Sequence, residues 1–327
     1  MIEEGVDGRS DMVMLFGQSF TKRELGRVFP DLLHVAGFKK LTVEDGAGRS
    51  SRLLQIDSGG GLRVDLLPDR CCDIGQVWCD DIPFGWINPM GTSAPFAVGE
   101  NNPLSGLMAT CGFDHIRQPE MEGDRHFPLH GNMMHMPARI IATDTIWDGD
   151  EGIFRVKAEA TQFNLNYGTI RLQRHVYVPL GGRSLVVSDR VTVLAGDLPV
   201  MAMYHVNLGY PLVTPGSAFS LNGDDVTGHT LGHDGIRTRP SGAAVAEVVL
   251  AAMSEGGPRF QMKYDGRKLP FLQTLRNDSE GINLFCIEPA THNRLSREEL
   301  RGNGSLLPTP RGGSHTFHLE MLFESGR

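Results

Sequence analysis

Gly152-Ile-Phe-Arg-Val-Lys-Ala-Glu-Ala-Thr-Gln162 alternates with a period of two. Phe154, Val156, Ala158 and Ala160 fall on one face, and Arg155, Lys157 and Glu159 on the other. This is the pattern of an antiparallel strand with one face on a core and one in water. The C-terminal stretch repeats it, with Phe317, Leu319, Met321 and Phe323 alternating with Thr316, His318, Glu320 and Glu324; it is expected to pair within the main sheet. Further strands are predicted over residues 52–56, 62–67, 139–147, 170–178, 185–194, 200–207, 245–250 and 282–287. They are punctuated by turn-forming clusters such as Asp57-Ser-Gly-Gly-Gly61, Pro179-Leu-Gly-Gly182 and Arg311-Gly-Gly313. Many long strands joined by turns predict an all-β protein, a large antiparallel sandwich.

One helix is predicted where Thr21-Lys-Arg-Glu24 forms a capping box ahead of Leu25 and Val28, with Pro30 limiting it. It is expected to cover an end or edge of the sandwich. No internal repeat, low-complexity tract or linker divides the chain, so residues 1–45 are read as an N-terminal extension packed on a main domain of residues 46–327.

Of the 327 residues, 40% are hydrophobic and 21% charged, which suits a water-soluble globular chain. No stretch approaches the roughly 18 apolar residues of a membrane helix. The N-terminus is acidic where a secretory leader would be basic, and a cytoplasmic location is expected. A formal charge of -8 without a sustained Lys/Arg run argues against a nucleic-acid partner. Five cysteines in no regular spacing predict reduced thiols rather than a disulfide framework. Sheet edges leave room for a homodimer.

Five segments carry candidate chemistry. Glu288 ends the apolar run Phe285-Cys-Ile-Glu288 and shares a strand face with Leu284 and Cys286; Pro289 is expected to end regular pairing there. A carboxylate in such a place needs a partner, and an ion pair with Arg294 or another arginine is as good a reading as a functional one. In Val200-Met-Ala-Met-Tyr-His-Val-Asn207, alternation points His205 and Asn207 the same way, beneath a partly apolar face. A hydrogen-bonded core histidine is the plainer alternative. In Phe127-Pro-Leu-His-Gly-Asn132, His130 precedes a glycine that lets backbone approach a ligand closely. His126 and His135 nearby do not form a metal-binding motif, and no metal or cofactor is expected. Arg70, within Pro68-Asp-Arg-Cys-Cys-Asp-Ile-Gly75, is suited to bind hydroxyls or a carboxylate, or to be held by Asp69 or Asp73. Asp114 and His115, in Thr110-Cys-Gly-Phe-Asp-His115, are polar contacts in a turn. A carboxylate facing an imidazole supplies the base and the acid that opening of a sugar hemiacetal requires. Neither a nucleophile elbow nor a phosphate loop is present.

Leu129-His-Gly131, Tyr204-His-Val-Asn-Leu-Gly209 and Cys286-Ile-Glu-Pro-Ala-Thr-His292, in that order, resemble the galactose mutarotase or aldose 1-epimerase superfamily. Together with the segments at 68–75 and 110–115 they resemble a branch of it catalogued as a domain of unknown function, over roughly residues 20 to 325. The resemblance implies a β-supersandwich whose concave face binds a pyranose. It implies Glu288 as the general base at the anomeric hydroxyl and His205 as the general acid at the ring oxygen. His130 would orient the sugar, and Arg70 would bind hydroxyls near the pocket wall. Asp224, Asp225 and Asp234 are the candidates for a carboxylate holding distal hydroxyls. The expected activity is interconversion of sugar anomers, with a small-molecule carbohydrate as partner. The alternatives are isomerisation or elimination on a modified sugar, or carbohydrate binding without catalysis.

Overall fold

The computed structural model describes residues 12–91, 104–232 and 234–326. Two large antiparallel sheets face each other. The first runs in the order Gly235–Pro240, Phe271–Asn277, Leu284–Ala290, Met201–Leu208, Met108–Phe113, Asp73–Cys79, Leu62–Leu67, Arg52–Asp57 and Gly37–Thr42. Ile82–Pro83 pairs onto Asp73–Cys79 beside this path. The second runs Arg139–Asp148, Glu151–Asn164, Gly168–Pro179, Ser184–Ala195, Ser314–Glu324, Arg259–Asp265, Val245–Ala251, Ala218–Leu221 and Asp224–Asp225.

The expected alternation is observed. Phe154, Val156, Ala158 and Ala160 are buried, as are Phe317, Leu319, Met321 and Phe323, and all eight belong to the core between the sheets. Ser314–Glu324 pairs on both sides, with Ser184–Ala195 and Arg259–Asp265, which makes the C-terminal segment a central strand. The strand Gly168–Pro179 also sends Arg174 into that core. Its guanidinium is gripped by Asp189 through two bonds of 2.9 and 2.7 Å, by Asp73 at 3.0 Å and by Thr110 at 2.7 Å. Tyr204 donates to Asp189 at 2.8 Å. A fully buried cation is tolerable only when this completely bonded, and the cluster fixes one sheet against the other.

The central strands of the first sheet, Met108–Phe113, Met201–Leu208 and Leu284–Ala290, are buried on both faces. Ala202, Tyr204, Val206 and Leu208 enter the main core, whereas Met201 and Met203 join Ala109, Cys111, Ala290, Leu300 and Leu306 in a second cluster on the opposite side. Loops and a helix therefore cover the face on which the candidate residues lie.

The predicted helix is present at Lys22–Val28, with both bonds of its capping box. Leu25 is buried with the main core, as are Val13, Leu15 and Ala36. Lys22 N donates to Asp150, so the helix lies over a hairpin end of the second sheet. Gly37–Thr42, inside the predicted extension, is an edge strand of the first sheet. A second helix, Arg297–Gly302, was not expected, although Ser296 and Glu299 form the same kind of capping box. Pro289 does not end its strand: pairing continues through Leu272↔Pro289 to Phe271↔Ala290. A proline removes one donor, and the residues on either side keep the strand in register. All five cysteines are buried and free. Among the described residues, no helix is long and apolar enough to cross a membrane.

Candidate active site

Strand register creates the site. Gln273 lies opposite Glu288, and Asn207 opposite Cys286. Continuing that antiparallel register by two residues sets His205 opposite Glu288. Residues directly opposite in paired strands share a face, so His205, Glu288 and Gln273 form one row across three strands. They sit on the wall of a cavity of about 650 Å³ that also includes Trp86, Arg117, His130 and Arg294. Glu288 and His205 are at its floor, with 1% and 3% of their side-chain surfaces exposed.

His205 Nε2 is 3.4 Å from Glu288 Oε1. Its other nitrogen, Nδ1, lies 2.7 Å from Asn207 Oδ1. Asn207 donates its amide hydrogens to Leu104 O at 2.6 Å and Gly106 O at 3.1 Å, which leaves Oδ1 as an acceptor. Nδ1 must therefore carry a hydrogen, and Nε2 is the atom that gains or loses a proton. An unprotonated Nε2 facing an ionised carboxylate sets two lone pairs against each other. The pair is attractive when it holds one shared proton, and that is the starting state of an acid/base couple.

Glu288 is held from its other side. Oε2 accepts from Gln273 Nε2 at 2.5 Å, Gln273 Oε1 accepts from Arg117 Nε at 2.8 Å, and Arg117 donates onward to His292 O and Asn293 O at 2.8 and 3.0 Å. This chain fixes the amide orientation of Gln273. Oε1 of Glu288 is buried, makes no hydrogen bond in this geometry and faces His205 Nε2 at 3.4 Å on the cavity wall. Burial lowers the Arg117 pKa to about 10, opposed by Glu288 and reinforced by Arg294, so the group stays cationic at neutral pH.

His130 packs edge-on against His205, with ring centroids 5.2 Å apart, and its buried Nδ1 has no hydrogen-bond partner. Burial, with His205 alongside, holds its pKa well below the ordinary histidine range, so the ring is neutral at pH 7. Its backbone occupies the left-handed region at φ 61, tied by His130 N to Arg117 O and by Gly112 N to His130 O. A non-glycine residue held there is uncommon and often marks a working site. Gly131 serves packing rather than ligand approach: at φ +76, an added Cβ would lie 2.4 Å from His115 O and 2.8 Å from Gly112 O.

Glu288, His205 and His130 thus meet in one cavity, with Asn207 just behind His205. The remaining candidates lie elsewhere. Arg70 is buried, donates to Ser105 O at 2.7 Å and faces Asp73 at 3.8 Å; it does not line the cavity. Asp114 accepts from Asn132 and Arg125, and His115 Nε2 meets Gln118 O at 2.6 Å, bonds that order the loops around the cavity without entering it. Asp224, Asp225 and Asp234 are exposed and absent from the cavity wall. His126 and His135 do not gather with His130. The group of potential metal ligands among the described residues is instead His205, Cys286 and Glu288, within 4.8 Å of one another. Burial, then Glu288, pushes the Cys286 pKa well above its usual value, so it is a protonated thiol at neutral pH.

Gln273, Arg117 and Trp86 were not anticipated. Gln273 belongs to a strand whose residues 272–274 are all buried, which hides any alternation. Arg117 and Trp86 come from connecting segments, where period carries no information. Trp86 is anchored by Nε1 donating to Ile282 O at 2.7 Å.

Two broad antiparallel sheets, with a histidine and a glutamate set side by side on one of them, define a galactose mutarotase-like sandwich. Solved structures with this fold include a protein of Klebsiella pneumoniae subsp. pneumoniae MGH 78578 described as a "putative aldose 1-epimerase". It is 17% identical, with a TM-score of 0.76 over 88% of this chain and 83% of its own. A galactose mutarotase-like protein from Clostridium acetobutylicum is 13% identical, with a TM-score of 0.64 over 89% of this chain and 99% of its own. Galactose 1-epimerase from Lactobacillus acidophilus NCFM is 13% identical, with a TM-score of 0.57 over 89% and 100%. Among curated proteins, none matches this chain. The chain belongs to the family described as "Domain of unknown function (DUF4432)", whose model matches residues 48–234.

Proposed function

We propose that the protein is an aldose 1-epimerase-type enzyme that interconverts the α and β anomers of a sugar through its open-chain aldehyde. The observation that carries this reading is the 3.4 Å approach of His205 Nε2 to Glu288 Oε1 at the floor of a cavity of about 650 Å³, a volume within the range of small-molecule sites. Ionised Glu288 takes the proton of the anomeric hydroxyl, and that O–H electron pair becomes the second bond of the aldehyde carbonyl. The bond between the anomeric carbon and the ring oxygen breaks, and the ring oxygen takes the Nε2 proton of His205. Rotation of the aldehyde and the reverse transfers give the other anomer and restore both residues. Asn207 is a positioning residue that keeps the working proton on Nε2, and Gln273 holds the second oxygen of Glu288. His130, neutral and with its buried Nδ1 unpartnered, is suited to a sugar hydroxyl.

Exchange NMR on a panel of aldoses tests the proposal. Enzyme-dependent transfer of magnetisation between α and β anomeric signals, lost in Glu288→Gln, is the expected result. Sugar binding without faster exchange would refute it in favour of a binding protein. Deuterium entering a carbon position from solvent would refute it in favour of an isomerase or lyase.

A further inference from the structure

The charges around the cavity do not balance. Among the described lining residues, Glu288 is the single carboxylate, set against the guanidinium groups of Arg117 and Arg294. Each of Arg117's hydrogen bonds goes to an uncharged oxygen, of Gln273, His292 or Asn293. Arg294 is exposed and forms no ion pair among the described residues, although the chain carries a formal charge of -8. Both guanidinium groups line the same cavity, and the charge of Arg294 adds to the lowering of the Arg117 pKa. A cation on a cavity wall is available to an incoming anion, and among the described residues no carboxylate pairs with Arg294. The wall otherwise offers neutral amides, Asn88, Gln118 and Asn277, which suit hydroxyl groups. Among the described residues it offers no second carboxylate to grip the vicinal hydroxyls of a neutral sugar.

Position gives this imbalance a direction. Glu288 and His205 lie at the floor and Arg294 is solvent-exposed, so Arg294 marks the mouth. We propose that the cavity takes an aldose bearing an anionic group, a carboxylate or a phosphate, at the end remote from its anomeric carbon, with Arg294 binding that group at the mouth. The orientation of the sugar rests on the epimerase reading above; the anion preference rests on the charges alone. A guanidinium is the side chain best shaped for either anion, since it offers paired donors to two oxygens.

Glucose, glucuronate and glucose 6-phosphate, with the galactose-configured trio beside them, are the probes. Calorimetry measures binding and exchange NMR measures anomer interconversion. The expected result is that one anionic member binds the wild type at least about tenfold more tightly than its neutral counterpart and exchanges with a correspondingly higher kcat/KM. Which anion wins distinguishes a carboxylate from a phosphate. In Arg294→Ala the ratio of anionic to neutral kcat/KM should collapse by about tenfold or more, chiefly through KM, and Arg294→Lys should recover part of it. Equal exchange of neutral and anionic sugars by the wild type would overturn the anion proposal and leave the epimerase reading intact. Arg294-dependent binding of the anionic sugar without exchange would overturn the epimerase reading and sustain the anion site. No binding of any anionic member would overturn the proposal outright, and because the wild-type comparison needs no variant, misfolding of one cannot obscure that outcome.

Discussion

Replacing Asn207 with alanine tests how far the reactivity of His205 is imposed by its neighbour. Asn207 is fully buried and its side chain makes four bonds, accepting from His205 Nδ1 at 2.7 Å and, weakly, from Cys286 Sγ at 3.5 Å, and donating to Leu104 O and Gly106 O at 2.6 and 3.1 Å. Alanine leaves one imidazole N–H and two carbonyls without this partner in a dry place. At about 1–3 kcal/mol for each unsatisfied group, the loss is about 3 kcal/mol even at the lower end. A water entering the vacated space would recover part of it. Equilibrium urea unfolding reads this directly as a lower midpoint. The effect on activity is separate, because the imidazole loses the acceptor that keeps hydrogen on Nδ1 and Nε2 turned toward Glu288. General acid catalysis contributes about 100- to 10,000-fold, and losing the orientation of the acid should remove about 10- to 100-fold from kcat in the folded fraction. Nitrogen-15 NMR of the imidazole adds a signature that lost packing would not produce, a change in the tautomer populated by His205. Wild-type stability, an unchanged tautomer and an unchanged anomer-exchange rate in Asn207→Ala would refute the assigned role.

Glu288→Gln and His205→Asn should each keep the circular dichroism spectrum of the wild type and lower kcat for anomer exchange by about 100-fold or more; near-normal turnover in both would remove them from the mechanism. Asp189→Ala should cost about 3–5 kcal/mol in urea unfolding, because it strips two bonds from buried Arg174 and one from Tyr204. A change under about 1 kcal/mol would show that the cluster does not hold the sheets together. His292, whose pKa burial lowers to about 4, should make stability fall on acidification. Its unfolded form takes up a proton below its ordinary pKa of about 6.5 and its folded form does not, so stability is lost as pH falls from about 6.5 towards 4. The loss amounts to about 3 kcal/mol at the lower end. Urea midpoints at pH 7 and pH 4.5 should therefore differ less in His292→Asn than in the wild type, and an identical difference would exclude His292 as a source.

Strands with one solvated face were the most legible in the sequence. Glu151–Asn164 and Ser314–Glu324 each place apolar side chains toward the opposite sheet and charged ones in water, so period two is visible in their composition. Met108–Phe113 and Phe271–Asn277 escaped because both faces of their sheet are covered, and Leu272, Gln273 and Thr274 are buried in succession. Arg259–Asp265 was missed despite the clean alternation of Phe260, Met262 and Tyr264. His205 and Glu288 stood out because an ionisable group inside an apolar strand needs a reason to be there. Their approach to each other depends on which strands are neighbours, and pattern alone does not determine that. Arg70 misled for the converse reason: charge at a strand end looks alike whether it faces a ligand or, as here, Ser105 O and Asp73.

The floor and the mouth of the cavity are built from different kinds of chain. His205 and Glu288 are on paired strands, so neither can shift relative to the other without breaking a sheet that is packed on both sides. Gln118 and Arg294, both exposed, leave from connecting segments outside the ladders, where exchanges and insertions are tolerated best. Inherited variation at the mouth can therefore change which molecules are admitted while leaving the distance between the two floor residues untouched. In such a lineage, the choice of guest would diverge long before the chemistry did.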